Sequence, residues 1–153
     1  MTGVRARSAA SALAVIAFAV TTVVGPVSSA TTPLRLDRVP FRPELALTSA
    51  ARTLGLMGRN PAPRDGMLFV FPADTAGGFW MKDTLVPLRI LFFDAAGTRV
   101  KKLSMTPCRR DPCPVYEPGR RYRFALELRA SDTRPGRLLG PALELRRLAR
   151  RAT

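Results

Sequence analysis

The chain has 153 residues, with 25 Lys and Arg against 11 Asp and Glu, no His, and a formal charge of +14 at pH 7. Without His it can build neither a Ser-His-Asp triad nor an imidazole-ligated zinc site, and its 2 Cys are too few for a thiolate cage. A chain this basic can meet anionic polymers or headgroups. Its cations are mostly Arg scattered along the sequence, however, as a coding bias towards Arg leaves them, and no nucleic-acid partner is expected.

Residues 1–30 read as a leader. Arg5 and Arg7 form a basic start, Ala9 to Val24 an apolar run, and Ser28-Ser29-Ala30 a small-residue cleavage site. That is the layout of a secretory signal peptide. The apolar run, about 16 residues, is shorter than the ~20 of a spanning helix. No Cys follows it to carry a lipid, and Arg5-Ala6-Arg7 is not a twin-arginine pair. The expectation is an extracytoplasmic protein, secreted or held in the periplasm or cell wall, with no transmembrane span after cleavage. Loss of 30 of 153 residues leaves 123, one domain of ordinary size, and loss of two arginines lowers the charge from +14 to +12.

In the mature chain, 31–43 is expected as an extended lead-in. Glu44–Leu47 follows as a short strand, and Thr48 as N-cap of a helix over Ser49–Met57. Ala50, Leu54 and Met57 would share the apolar face of that helix, which Gly58 would end. Asn60–Arg64, with Pro61 and Pro63, is loop. Asp65–Gly97 holds about half of the Phe and the only Trp, and should form the centre of the core. Met67–Phe71 is an unbroken apolar run of strand length, suited to burial on both faces. Pro72, Asp74, Gly77 and Gly78 supply turn chemistry. From Leu85 the pattern resumes, with Leu88, Ile90 and Phe92 on one face and Arg89, Leu91 and Phe93 on the other. Asp94–Gly97 reads as a tight turn returning Thr98–Leu103 as a hairpin partner.

Pro107–Pro118 is a Pro-rich loop holding both cysteines. Tyr122, Phe124, Leu126 and Leu128 then alternate with polar neighbours as a half-buried strand. Asp132–Arg137 is turn, Ala142–Leu145 a last strand, and 146–153 a fraying basic tail. The fold class expected is mainly β: a single-domain antiparallel sandwich or barrel over 44–145, with one short N-terminal helix. Outside the cytoplasm, Cys108 and Cys113 in one loop form a disulfide, which contributes about 2 kcal/mol by loop-closure entropy. A redox pair would have two intervening residues rather than four. No metal site and no cofactor is expected.

Five segments in order carry a family resemblance: LGLMGR at Leu54–Arg59, DGMLFVFP at Asp65–Pro72, FWMKDT at Phe79–Thr84, PLRILFFDAAG at Pro87–Gly97, and the Cys108 loop PCRRDPCPVY. Together they resemble the DUF-192 family over about 44–145. The resemblance implies a compact, mostly β domain, often exported, with no established activity. Two positions depart from its pattern: Asp83 stands where Asn is usual, and Arg89 where Asp is usual. An exchanged-charge ion pair between Asp83 and Arg89 would reconcile the two.

The surface singled out for function is Phe79–Thr84 with Arg59. One reading is a strand entering the core, with Trp80 buried and Lys82 reaching outward. The other is a ligand or glycan site in which Trp80 offers a stacking face and Arg59, Lys82, Asp83 and Thr84 bond around it. The expected function is a non-catalytic binding or accessory module for a cell-envelope component, an anionic polymer or a glycan. The alternative is an envelope hydrolase using Asp83 as general acid or base. Adhesion by charge alone through Arg146, Arg147, Arg150 and Arg151 is a third course.

Overall fold

A computed structural model describes residues 34–153, so the leader expected at 1–30 lies outside the described residues. In chain order the elements are β1 (Leu34–Leu36), β2 (Val39–Phe41), β3 (Glu44–Ala46), α1 (Ser49–Leu54), β4 (Met67–Thr75) and β5 (Phe79–Trp80). They continue as β6 (Leu88–Phe93), β7 (Arg99–Met105), β8 (Val115–Tyr116), β9 (Tyr122–Arg129), β10 (Leu139–Gly140) and α2 (Ala142–Arg151).

The centre is a five-stranded sheet in the order β3-β4-β9-β6-β7. β3 and β4 run parallel, and every other neighbouring pair is antiparallel. The unbroken runs Met67–Val70 and Ile90–Phe93 are buried residue by residue, because each face of this sheet carries its own apolar layer. On one face Leu68, Val70, Leu91, Phe93, Phe124, Leu126 and Leu128 pack against Leu34, Leu36, Phe41 and Leu139 of the small sheet β10-β1-β2, and against Leu145 and Leu148 of α2. On the other, Phe69, Ile90, Phe92 and Tyr122 lie beneath Leu56, Ala62, Met81 and Phe79, which come from loops and from β5. The architecture is sandwich-like and mainly β, and the five-stranded sheet does not close into a barrel.

Several expectations are corrected. The lead-in joins the fold: β1 pairs with both β2 and β10, and Leu34, Leu36 and Phe41 are core residues. α1 stops at Leu54, because Gly55 turns the chain at a φ of 48° three residues before Gly58. Thr48 caps it as expected, its hydroxyl accepting from the Ala51 N–H at 3.1 Å. The expected apolar face is not its anchor, since Ala50 is exposed and Leu54 is 62% exposed. Instead Arg52 fastens the helix, donating to the carbonyls of Leu47, Val70 and Thr153 at 2.7, 3.0 and 2.8 Å.

The expected last strand and basic tail are a single helix, α2. Leu145, Leu148 and Ala152 recur at helical spacing and are buried, while Arg146, Arg147, Arg150 and Arg151 face water. β9 is not half-buried. It lies at the middle of the sheet, so its second row is covered too, and Glu127 in that row is 4% exposed. Gly66 permits the crowding beside it. With φ at 74°, it passes so close to β9 that a Cβ there would lie 2.0 Å from the Glu127 carbonyl oxygen.

Burial pushes the Glu127 carboxyl up from an ordinary 4.5 to about 8. Between those values the native state holds a proton that the unfolded chain has lost, so this group's contribution to stability falls as pH rises. Asp132 and Asp37 act oppositely. Burial raises the Asp132 carboxyl, but hydrogen bonds from Arg134 and the charges of Arg134 and Arg89 outweigh it and hold the group below its usual 3.8. Burial of Asp37 is likewise outweighed by N–H donors of Leu138, Arg137 and Gly136 and by Arg99. Their support is lost only as pH falls below about 4.

Two outcomes follow for thermal or chemical unfolding. Leu148→Ala should cost about 2–5 kcal/mol, whereas Arg150→Ala on the exposed side of the same helix should stay within about 0.5 kcal/mol. Stability should fall from pH 5 to pH 8 by on the order of 1 kcal/mol per pH unit. Glu127→Gln should flatten that decline, and an equally steep decline in the variant would show that another group causes it.

Candidate functional site

The loop layer over the second face of the sheet holds an open cleft of ≈ 460 Å³. Phe71, Phe79, Trp80 and Tyr122 give it aromatic walls, Ser49, Thr53 and Thr75 add hydroxyls, and Arg52 and the backbone of Gly77-Gly78 complete the lining. The aromatics brace one another. Phe79 meets Phe69 edge-on at 4.9 Å and Phe92 at 5.7 Å, and Tyr122 lies 4.8 Å from Phe92 and 5.4 Å from Phe71. Such pairs each contribute roughly 0.5–1.5 kcal/mol beyond their buried area. Tyr122 donates its hydroxyl proton to the Gly77 carbonyl at 2.7 Å, and burial pushes that phenol up, so it stays a neutral donor. The Arg52 guanidinium lies over the Phe71 ring at 5.0 Å.

A narrower recess of ≈ 30 Å³ shares Arg52, Thr53, Phe79 and Trp80 with the cleft. Its further lining includes Gly55, Leu56, Phe69, Thr84 and Glu127. Glu127 makes no side-chain hydrogen bond to any described residue. Sequence reasoning missed Arg52 and Glu127 altogether. Glu127 read as one polar position of an alternating strand, and only the place of β9 in the sheet reveals it as buried.

β5 owes its place to the cysteine loop. Phe79 pairs with Tyr116 and Trp80 with Val115, and Lys82 then forms a parallel bridge with Cys108. Cys108 is joined to Cys113 in a disulfide, as expected. The Cys108 N–H donates to the Met81 carbonyl at 3.2 Å, its carbonyl accepts from Asp83 N–H at 2.9 Å, and Lys82 forms an ion pair with Asp111 inside the same loop. Gly78 allows the approach, since a Cβ there would fall 2.5 Å from a Val115 methyl. The loop therefore fixes Trp80 at the rim of the cleft.

The structure divides the expected site residues. Trp80 is 49% exposed, as the stacking reading requires and the buried reading does not, and Thr84 lines the recess. Arg59 points elsewhere, forming a two-pronged bond to Glu44 at 2.8 and 3.0 Å. Lys82 is turned to Asp111, and Asp83 is exposed and outside both hollows. Arg59, Trp80, Lys82, Asp83 and Thr84 thus do not converge on one pocket, and Asp83 is not placed as a general acid or base for a ligand there. The Asp83–Arg89 pair is corrected too. Arg89 bonds to Asp132 at 3.3 Å and to the Arg134 carbonyl at 3.1 Å. Asp83 occupies the left-handed position, φ 51°, of a turn closed by Thr84 N–H to Met81 carbonyl. Asn and Asp tolerate that conformation better than other non-glycine residues, so Asp can stand where Asn is usual without a charge partner. Among the described residues, no three of Cys, Asp and Glu gather as metal ligands, and no helix is long and apolar enough to cross a membrane.

Comparison with known proteins returns relatives of undefined role. A solved structure from Sinorhizobium meliloti 1021, assigned only provisionally to transcription regulation, is similar at 30% identity with a TM-score of 0.64, over 76% of this chain and 97% of that one. A protein of unknown function from Novosphingobium aromaticivorans is similar at 25% identity with a TM-score of 0.63, over 77% of this chain and 91% of its own. No curated protein matches. The family model described as uncharacterised ACR, DUF192, matches residues 32–137, and on that match the chain belongs to the DUF192 family.

Proposed function

We propose that the protein is an exported, non-catalytic module that binds a glycan of the cell envelope in the aromatic cleft. The observation that carries this reading is Trp80: a large indole left 49% exposed at the rim of a ≈ 460 Å³ cleft and braced from behind by the cysteine loop. Leaving such a surface in water forgoes the stabilisation that burial would give, and a flat, half-exposed indole suits the apolar face of a sugar ring. Hydroxyls of Ser49 and Thr53 and the backbone of Gly77-Gly78 stand within the same lining to meet ligand hydroxyls. The only carboxyl lining either hollow is Glu127, set back in the narrow recess, and no second acid faces it across the cleft. A paired-carboxylate hydrolysis mechanism needs two, which supports binding without turnover. Export rests on the leader-like layout of residues 1–30. The disulfide supports it, because such bonds persist in oxidising compartments.

The test is retention of purified residues 31–153 on isolated envelope glycan. Trp80→Ala should weaken retention about tenfold or more while the melting temperature barely moves, since the side chain is half exposed. Arg150→Ala should bind like the parent, and raising salt to about 0.5 M should leave binding in place, whereas adhesion by charge alone would be erased. Retention that is insensitive to Trp80→Ala would overturn the proposal.

A further inference from the structure

Of the charged side chains that line the two hollows, Arg52 is committed and Glu127 is not. Arg52 donates to three carbonyls, Arg59 is held by Glu44, Lys82 by Asp111, and Arg129 by the Ala62 carbonyl. Glu127 is left, 4% exposed, on the wall of the recess with Thr84 and Trp80 and with no hydrogen bond to a described residue. Its oxygens are not sealed in the core but open onto the recess, where an entering group can reach them. Ala125 in its row on β9 and the paired residues Met67 of β4 and Ile90 of β6 are apolar, while Arg129, the other row neighbour, is turned to the Ala62 carbonyl.

Resting on the glycan reading above, we propose that the recess is the deep subsite of the cleft, and that Glu127 anchors there one small uncharged substituent of a neutral saccharide, a hydroxyl or hydroxymethyl group. Size sets the division of labour. The recess, ≈ 30 Å³, takes about the volume of one water molecule or a comparable small group, while a sugar ring fits only the ≈ 460 Å³ outer cleft against Trp80. Charge sets the ligand class. An anionic ligand is met less well, because Arg52 directs three of its five N–H donors at carbonyls. A cationic ligand finds no carboxylate at neutral pH, because burial lifts Glu127 to about 8. In its acid form Glu127 donates one hydrogen bond and accepts another, which is what a hydroxyl offers in return.

The ionisable groups that face Glu127 are few. α1 contributes Arg52, β9 itself contributes Arg129 two residues along, and β4, β6 and the Met81–Thr84 turn present Met67, Phe69, Ile90, Met81 and Thr84. A guanidinium is not deprotonated in proteins, so the group here that changes state between pH 6 and pH 9.5 is Glu127. Its ionisation removes the donor and places a bare charge in the recess.

The experiment titrates residues 31–153 with chitotriose and, separately, with maltotriose, at pH 6 and pH 9.5. Binding is read by calorimetry and by the fluorescence of Trp80, the only Trp in the chain, and each variant's melting curve confirms folding. The parent should bind at least one of these neutral sugars at pH 6 and lose about tenfold or more in affinity at pH 9.5. Glu127→Gln should bind several-fold more weakly than the parent at pH 6, an amide being the poorer donor, and equally at both pH values. Glu127→Leu, which satisfies packing but carries no donor, should lose about tenfold or more at pH 6 while remaining folded. If binding depends on Trp80 but is indifferent to pH and to Glu127→Leu, the deep subsite is overturned and the cleft reading stands. If neither sugar binds the parent at millimolar concentration, this proposal is overturned, and the cleft reading is then decided separately by retention on envelope glycan.

Discussion

β9 lies between β4 and β6 at the middle of the sheet, and both of its side-chain rows are out of solvent. The layers packed on the two faces of the sheet cover those rows. Leu126 and Leu128 on one side need α2 and the β10-β1-β2 sheet above them. Ala125 and Glu127 on the other need the loops that follow α1 and β5. A strand buried twice over places roughly 1.5–3 kcal/mol of transfer free energy in each large apolar side chain. One layer brings together the two ends of the described chain, Leu34–Phe41 and Leu139–Ala152, and the other comes from its interior, with Leu56, Ala62, Phe79 and Met81.

The two layers differ in kind. The α2 side is regular and dry, with an amphipathic helix laying Leu145 and Leu148 into the sheet and its arginines turned outward. The loop side is irregular, and its order comes from polar fastenings: the Arg52 fork on three carbonyls, the Arg59–Glu44 pair, the Cys108–Cys113 disulfide and the backbone bonds between Cys108 and the Met81–Asp83 turn. Loops fixed in this way leave hollows that a helix packed on a sheet does not. The cleft, the exposed indole and the buried carboxyl of Glu127, without a hydrogen-bond partner among the described residues, all occur on this side, as binding features tend to lie on loops set upon a rigid scaffold.

Of the many cations among the described residues, Arg52 alone lines the cleft. Around Asp132, Arg89 and Arg134 are neutralised close to the surface, with Asp65 sharing Arg134 at 3.4 Å and Arg134 also covering the Phe41 ring at 5.5 Å. The unpaired arginines of α2 face water on the far layer. Net charge therefore describes how the protein meets its surroundings at a distance, while the cleft selects by shape and by neutral hydrogen bonding.

Local signals were legible from the residues alone. The run Met67–Phe71 announced a doubly buried strand, which holds as far as Val70, while Thr48 announced a helix start, Asp94–Gly97 a hairpin, and two cysteines in one loop a disulfide, because each depends on neighbours within a few residues. The recurrence of Leu145, Leu148 and Ala152 was present as well, but short apolar spacing serves strand and helix alike until a sheet is there to receive one face. Arg52, Glu127 and the parting of Trp80 from Arg59 carried no such signal. Composition and spacing thus determined a mainly β chain built on its Phe-rich middle. Which carboxyl is buried, and which side chains share a cleft, were decided only when β9 took the central place in the sheet, because burial depends on what lies across the strand rather than along it.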